Sequence, residues 1–163
     1  MSAHRIEGRI AELGLTLPPP FTPPMGVSLP FRQVHVVGTI AHIAGHGPQA
    51  ADGRLAEPLG KVGADLTVDE AYDAARLTGL SILSSLRRGL GDLDRIVAWG
   101  RVFGMVNAAP GFDRMPEVIN GFSDLLLEVF GPVAGAHSRS AVGVASLPFG
   151  IPVEIEAEVY LHG

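Results

Sequence analysis

Two period-two patterns close the chain. From Ser138 to Ala145 the residues alternate, with Val142 and Val144 on one side and Arg139, Ala141, Gly143 and Ala145 on the other. After the turn-rich LPFGIP the alternation resumes more strongly. Val153, Ile155, Ala157, Val159 and Leu161 form one row, and Glu154, Glu156, Glu158 and Tyr160 form the other. The pattern predicts two strands joined by a short turn. If both apolar rows pack beneath one helical layer, Arg139 and the three glutamates emerge together on the opposite face. A guanidinium is suited to gripping a carboxylate through two parallel hydrogen bonds, and its Ala and Gly neighbours leave room for one. An arginine–glutamate pair on a solvated strand face is the plainer reading of the same residues.

Helical spacing governs three other stretches. Ile6, Ile10 and Leu13 predict a short helix from His4 to Leu13, closed by Gly14. Thr67-Val-Asp-Glu70 is a capping box opening a long helix to about Arg88, with Ala71, Ala74, Leu77, Leu80, Leu83 and Leu86 as its buried stripe. Glu117–Phe130 carries Val118, Phe122, Leu125, Leu126 and Val129, and Gly131-Pro132 ends it. Between the first two helices, five prolines from Pro18 to Pro24 impose a stiff, extended strap. Val34–Val37 and Ile40–Ala44 read as a hairpin around Gly38-Thr39. Arg95–Val106 is apolar on both sides, which predicts a central strand. Arg101 interrupts its bulkier face as a structural partner for the glutamate row. The order is helix, β, β, α, β, α, β, β: an α+β domain with one sheet and two long helices on one face. Two helices cover only that face. The other would expose Trp99, Phe103 and Met105 to water, and a homo-oligomer that buries them is the economical answer.

Composition narrows the function. A chain of 163 residues suits one domain, burying roughly 70% of its unfolded surface. Charged residues make up only 18% and hydrophobic ones 47%, which also points to a surface covered by a partner. A net charge of −5 without a Lys/Arg cluster argues against a nucleic-acid surface. The absence of cysteine removes disulfides, a thiolate nucleophile and Cys-based metal sites. No apolar run reaches the ~20 residues of a membrane span, and the expected location is cytoplasmic. His42 and His46 are four apart, but glycines at 45 and 47 make a helix unsuitable there and no third ligand is near, so no metal is expected.

The segment RSAVGVASLPFGIPVEIEAEV resembles the arginine motif of the RidA/YjgF family, enamine/imine deaminases long labelled "endoribonuclease L-PSP". LPFRQVHVVGTIAHIAGHGP is similar to that family's first hairpin, and VINGFSDLLLEVFG to its second helix. The resemblance covers roughly residues 30–161, which divides the chain into a helix and proline strap over 1–29 and a RidA-like domain over 30–163. It implies a chorismate-mutase-like mixed sheet assembled as a homotrimer, with clefts between subunits and no cofactor. The implied activity is hydrolysis of reactive 2-imino or 2-enamino acids to 2-keto acids and ammonia. Carried over by position, Arg139 holds the substrate carboxylate, Glu154 directs the attacking water, Gly45 and His46 line the cleft, and Asn120 supports it. Three positions depart from the family pattern. Phe31 stands where a pocket tyrosine is frequent, Ala44 where a serine is, and Ala141 where a cysteine is. These losses favour the alternative of a non-catalytic trimeric binder of small carboxylic acids.

Overall fold

The computed structural model describes residues 5–163. Helix α1 runs from Arg5 to Glu12 and buries Ile6 and Ile10; His4 lies outside the described residues. The capping box forms as expected: the Glu70 N–H donates to Thr67 Oγ1 at 3.2 Å, and the Thr67 N–H donates to Glu70 Oε2 at 2.8 Å. It starts α2 (Val68–Leu90), which Gly91 ends at φ 79°. Ala71, Ala74, Leu80, Leu83 and Leu86 are buried on its inner face, whereas Leu77 is only partly so. Helix α3 spans Met115–Ala134, with a break in regular geometry at Gly131 (φ 78°), beside Pro132. Its buried residues include Val118, Phe122, Leu125, Leu126 and Val129.

Five strands form one sheet: β1 (Val34–Val37), β2 (Ile40–His46), β3 (Ile96–Asn107), β4 (Ser138–Val144) and β5 (Val153–Leu161). Their order is β1-β2-β5-β3-β4, antiparallel throughout except for the parallel β3–β4 pair. The expectation that β4 and β5 form a hairpin is therefore corrected. Strand β3, apolar on both faces, lies between them, and α3 supplies the crossover that a parallel β3–β4 pair requires.

Register decides which residues share a face. Val102 lies opposite Arg139 on β4 and Ala157 on β5, and Met105 lies opposite Val142 and Glu154. Laterally opposed residues point to the same side of a sheet. Arg139 therefore faces the helices with Val102, while Glu154 and Glu156 face away from them with Met105 and Phe103. Arg139 and the glutamates do not emerge together. The error lay in assuming that Val142 and Val144 belong to the row beneath the helices; β4 is an edge strand, and its apolar pair lies on the open face. Trp99 is corrected too. Irregularities in the β3–β5 register on either side of it turn its ring inward, where it meets Phe122 and Phe130 edge-on at 5.8 and 5.6 Å between centroids.

Helices α2 and α3 meet at Gly121, where an added Cβ would lie 2.1 Å from the Tyr72 carbonyl oxygen. Because that obstacle is backbone, relief requires the helices to separate. Gly121→Ala is expected to destabilise the fold by about 1–3 kcal/mol, read as a lowered midpoint in denaturant unfolding. An unchanged midpoint would mean the helices have slack.

Candidate functional site

Strand β2 slips in its register on β5 between Ile43 and His46. The irregularity sends its two histidines to different surroundings. His42 remains exposed, with Nδ1 3.1 Å from Glu158 Oε1. His46 turns inward and is only 6% exposed. Its Nδ1 lies 2.5 Å from the Ala44 carbonyl, which can only accept, so the proton sits on Nδ1. Nε2, 2.8 Å from Ser85 Oγ, then accepts the serine hydroxyl. Burial, with a smaller contribution from the Arg88 charge, outweighs the Ala44 hydrogen bond and lowers the His46 pKa from 6.5 to about 4. The ring is neutral at pH 7.

Glu154 opens β5 directly over Gly45. A Cβ at position 45 would stand 2.3 Å from Glu154 Oε1, so glycine is what lets the carboxylate lie there. Half-buried, Glu154 has its pKa raised, first by desolvation and then by the charge of Glu156. Among the described residues nothing donates a hydrogen bond to this carboxylate. It faces a cavity of about 220 Å³ whose polar lining residues are Glu154, His46, Gln33 and Gln49 and whose apolar walls include Phe31, Leu55, Phe149 and Ile151. Phe149 holds φ at 59°, a costly conformation for a bulky residue and one that clusters at ligand clamps. An uncompensated, half-buried carboxylate aimed into a lined cavity is a group positioned to exchange protons with a small molecule.

Arg139 occupies a second location. From β4 its guanidinium reaches α3, where Nη1 donates to Ser123 Oγ at 2.8 Å and Nη2 donates to Asn120 Oδ1 at 2.7 Å and the Pro116 carbonyl at 3.0 Å. Desolvation lowers its pKa, partly offset by Asp124, without removing its charge at neutral pH.

The expected site residues therefore fall into two groups. Phe31, Gly45, His46 and Glu154 line one cavity. Asn120 and Arg139 are joined by a hydrogen bond on the other face of the sheet, where Ala141 packs against the core. Ala44 lies between the cavity residues and β1: its N–H donates to the Gln33 carbonyl at 3.0 Å and its own carbonyl binds His46. Sequence reasoning missed Phe21, Leu29, Gln49, Leu55 and Phe149 as cavity walls, because they come from separate loops. It also missed Ser85. Three serines on α2 (Ser81, Ser84, Ser85) are buried among its leucines, and that pattern is the signal that could have found it.

A mixed five-stranded sheet backed by two long helices, with a carboxylate-lined cavity at one end of β5, defines an α+β fold. The family profile described as "YjgF/chorismate_mutase-like, putative endoribonuclease" matches residues 7–161, and the chain belongs to that family. Protein TCP17 of Trypanosoma cruzi is 37% identical over 162 residues, covering 99% of this chain and 98% of that protein. Among solved structures, Atu1372 of Agrobacterium tumefaciens, a protein of unknown function, is 38% identical with a TM-score of 0.85, covering 97% of this chain and 93% of its own. A "putative endoribonuclease" of Shewanella oneidensis is 33% identical with a TM-score of 0.84, covering 96% and 99% respectively.

The two shifted groups push stability in opposite directions with pH. His46 has a depressed folded pKa, so the unfolded chain binds more protons between pH 6.5 and about 4. Stability is expected to fall as pH drops through that window, and His46→Gln to flatten the slope in denaturant unfolding at pH 7, 5.5 and 4. Glu154 has a raised folded pKa, so its contribution is lost as pH rises above the ordinary carboxylate range. Glu154→Gln is therefore expected to be more stable than wild type at pH 7, with the gain vanishing in acid. A variant less stable at pH 7 would show that the carboxylate is structural.

Proposed function

We propose that this protein hydrolyses reactive 2-imino or 2-enamino acids to 2-keto acids and ammonia, in a site shared between copies of the chain. The observation that carries this reading is the Glu154 carboxylate, unpaired and with raised pKa over Gly45 in the cavity. An imine carbon is already electrophilic, so its hydrolysis needs neither a covalent nucleophile nor a metal. Glu154 takes a proton from water as the oxygen bonds to the imine carbon and the nitrogen gains a proton. The same carboxyl then serves the proton transfers that expel ammonia from the tetrahedral adduct and leave the ketone. A carboxylate with a raised pKa is better matched to both directions, a contribution of roughly 10²–10⁴-fold.

The substrate carboxylate requires a cation, and Arg139 of the same chain lies on the opposite face of the sheet from Glu154. Strand β4 is the rim of the sheet, and Tyr160 on β5 is 46% exposed. A closed ring of three copies would bring the β4 edge of one against the cavity of the next and cover the open face. Anchoring and orienting the acid in this way can supply up to roughly 7–11 kcal/mol. A polyanionic RNA substrate fits less well, because the row Glu154, Glu156, Glu158 would repel phosphates. A second reading, a non-catalytic binder of small carboxylic acids, is favoured by one observation: Phe31, in the cavity wall, carries no hydroxyl to assist proton transfer.

Imines generated in situ by an amino-acid oxidase are expected to release keto acid and ammonia faster with the protein than without it. Arg139→Ala and Glu154→Gln should each abolish the acceleration. Refolding the two inactive variants together should restore activity at roughly a quarter of the sites, the fraction for random mixing around a closed ring. Carboxylate binding without acceleration would favour the binder. Failure of the mixture to recover would refute the shared site.

A further inference from the structure

The Glu154 cavity is lined mostly by apolar residues, with Gln33, His46, Gln49 and Glu154 as its polar side chains. Much of that apolar wall comes from the segment preceding β1, which contributes Phe21, Leu29 and Phe31. This segment is fastened, not draped. The Pro18 carbonyl accepts from Ser84 Oγ, the Pro19 carbonyl accepts from Gln49 Nε2 at 3.1 Å, and the Thr22 N–H donates to the Gly53 carbonyl at 3.0 Å. Prolines on both sides of Phe21 remove backbone freedom, so its ring is held against the cavity at little further entropic cost. Ser84, which anchors the segment, adjoins Ser85, which anchors His46, and Arg88 donates to both serines at 2.5 and 3.1 Å. The strap and His46 are thus positioned by the same turn of α2.

We propose that the strap is the specificity wall of this cavity, and that Phe21 selects 2-imino or 2-keto acids with a branched aliphatic or aromatic side chain over alanine-sized or charged ones. The inference rests on the reading above for the acid head group. A molecule whose reacting carbon lies at Glu154 directs its side chain toward Phe21, Leu29, Phe31 and Phe149. Burying apolar atoms there is favourable, while a charged tail would lose its hydration with no partner along those walls. Apolar pockets discriminate one methylene by roughly 10–200-fold, so a leucine-sized side chain has room to be distinguished from alanine.

The test compares kcat/KM for imines generated from leucine, phenylalanine, alanine and glutamate. The expected result is at least a ~10-fold preference for the first two, within the range of apolar discrimination. Phe21→Ala should reduce that preference about tenfold, and Phe21→Trp should shift it toward the alanine-derived imine. Phe21→Leu replaces the alanine variant if the latter fails to fold. The same comparison by calorimetry, with 4-methyl-2-oxopentanoate against pyruvate, separates the two proposals. Discrimination in binding without turnover supports the wall while the hydrolase reading fails. Turnover of all four imines at equal kcat/KM, or a preference unmoved in folded Phe21 variants, overturns the wall while hydrolysis stands. Absence of both imine turnover and keto-acid binding overturns both.

Discussion

Enclosure of β3 by a hydrogen-bonded strand on each edge and by the helices on one face is the constraint on which the architecture depends. Its inward positions, Val102 and Val106, are fully buried beneath the helices, and Phe103 and Met105 occupy the other face. A strand so apolar is stable only with hydrogen-bonded neighbours on each side. Strand β5 takes one edge and β4 the other, so two strands adjacent in sequence are separated in space by a third. That separation places Arg139 at the rim of the sheet, next to α3, and leaves Glu154 two strands further in, on the opposite face.

The cavity shows how backbone choices create chemistry. The absence of a side chain at Gly45 allows the Glu154 carboxylate to lie against the strand, where it loses water without gaining a donor. Its raised pKa is thus a consequence of packing. His46 beside it is the complementary case: both ring nitrogens are bonded, to the Ala44 carbonyl and the Ser85 hydroxyl, and burial keeps the ring neutral at pH 7. Among the described residues, one titratable group in the cavity is thus left uncompensated while its neighbour has both ring nitrogens bonded.

The strap gives the N-terminal region a part in this arrangement. Ile6 and Ile10 of α1 join the core, Leu13, Leu15 and Leu17 continue that packing, and Ser84 and Gln49 then hold the chain so that its aromatic residues meet the cavity. A proline-rich stretch is suited to this work, since it has little freedom to lose and exposes carbonyls that side chains can bind.

The sequence by itself determined the elements: two strongly periodic helices with a capping box, five strands near their observed bounds, and the family motif around Arg139 and Glu154. The elements follow from local spacing, which the chain carries in its own order, and the motif rests on its likeness to the family. Phe31, Gly45, His46 and Glu154, expected at the site from the family resemblance, lie along one cavity. Only the tertiary structure decided that β3 inserts between β4 and β5, that bulges turn Trp99 and His46 inward, and that Arg139 and Glu154 face opposite ways. Alternation specifies that a strand has two faces but not which of them meets the helices. On an edge strand such as β4, with small residues on one side and two valines on the other, only the neighbouring strand's register resolves the choice.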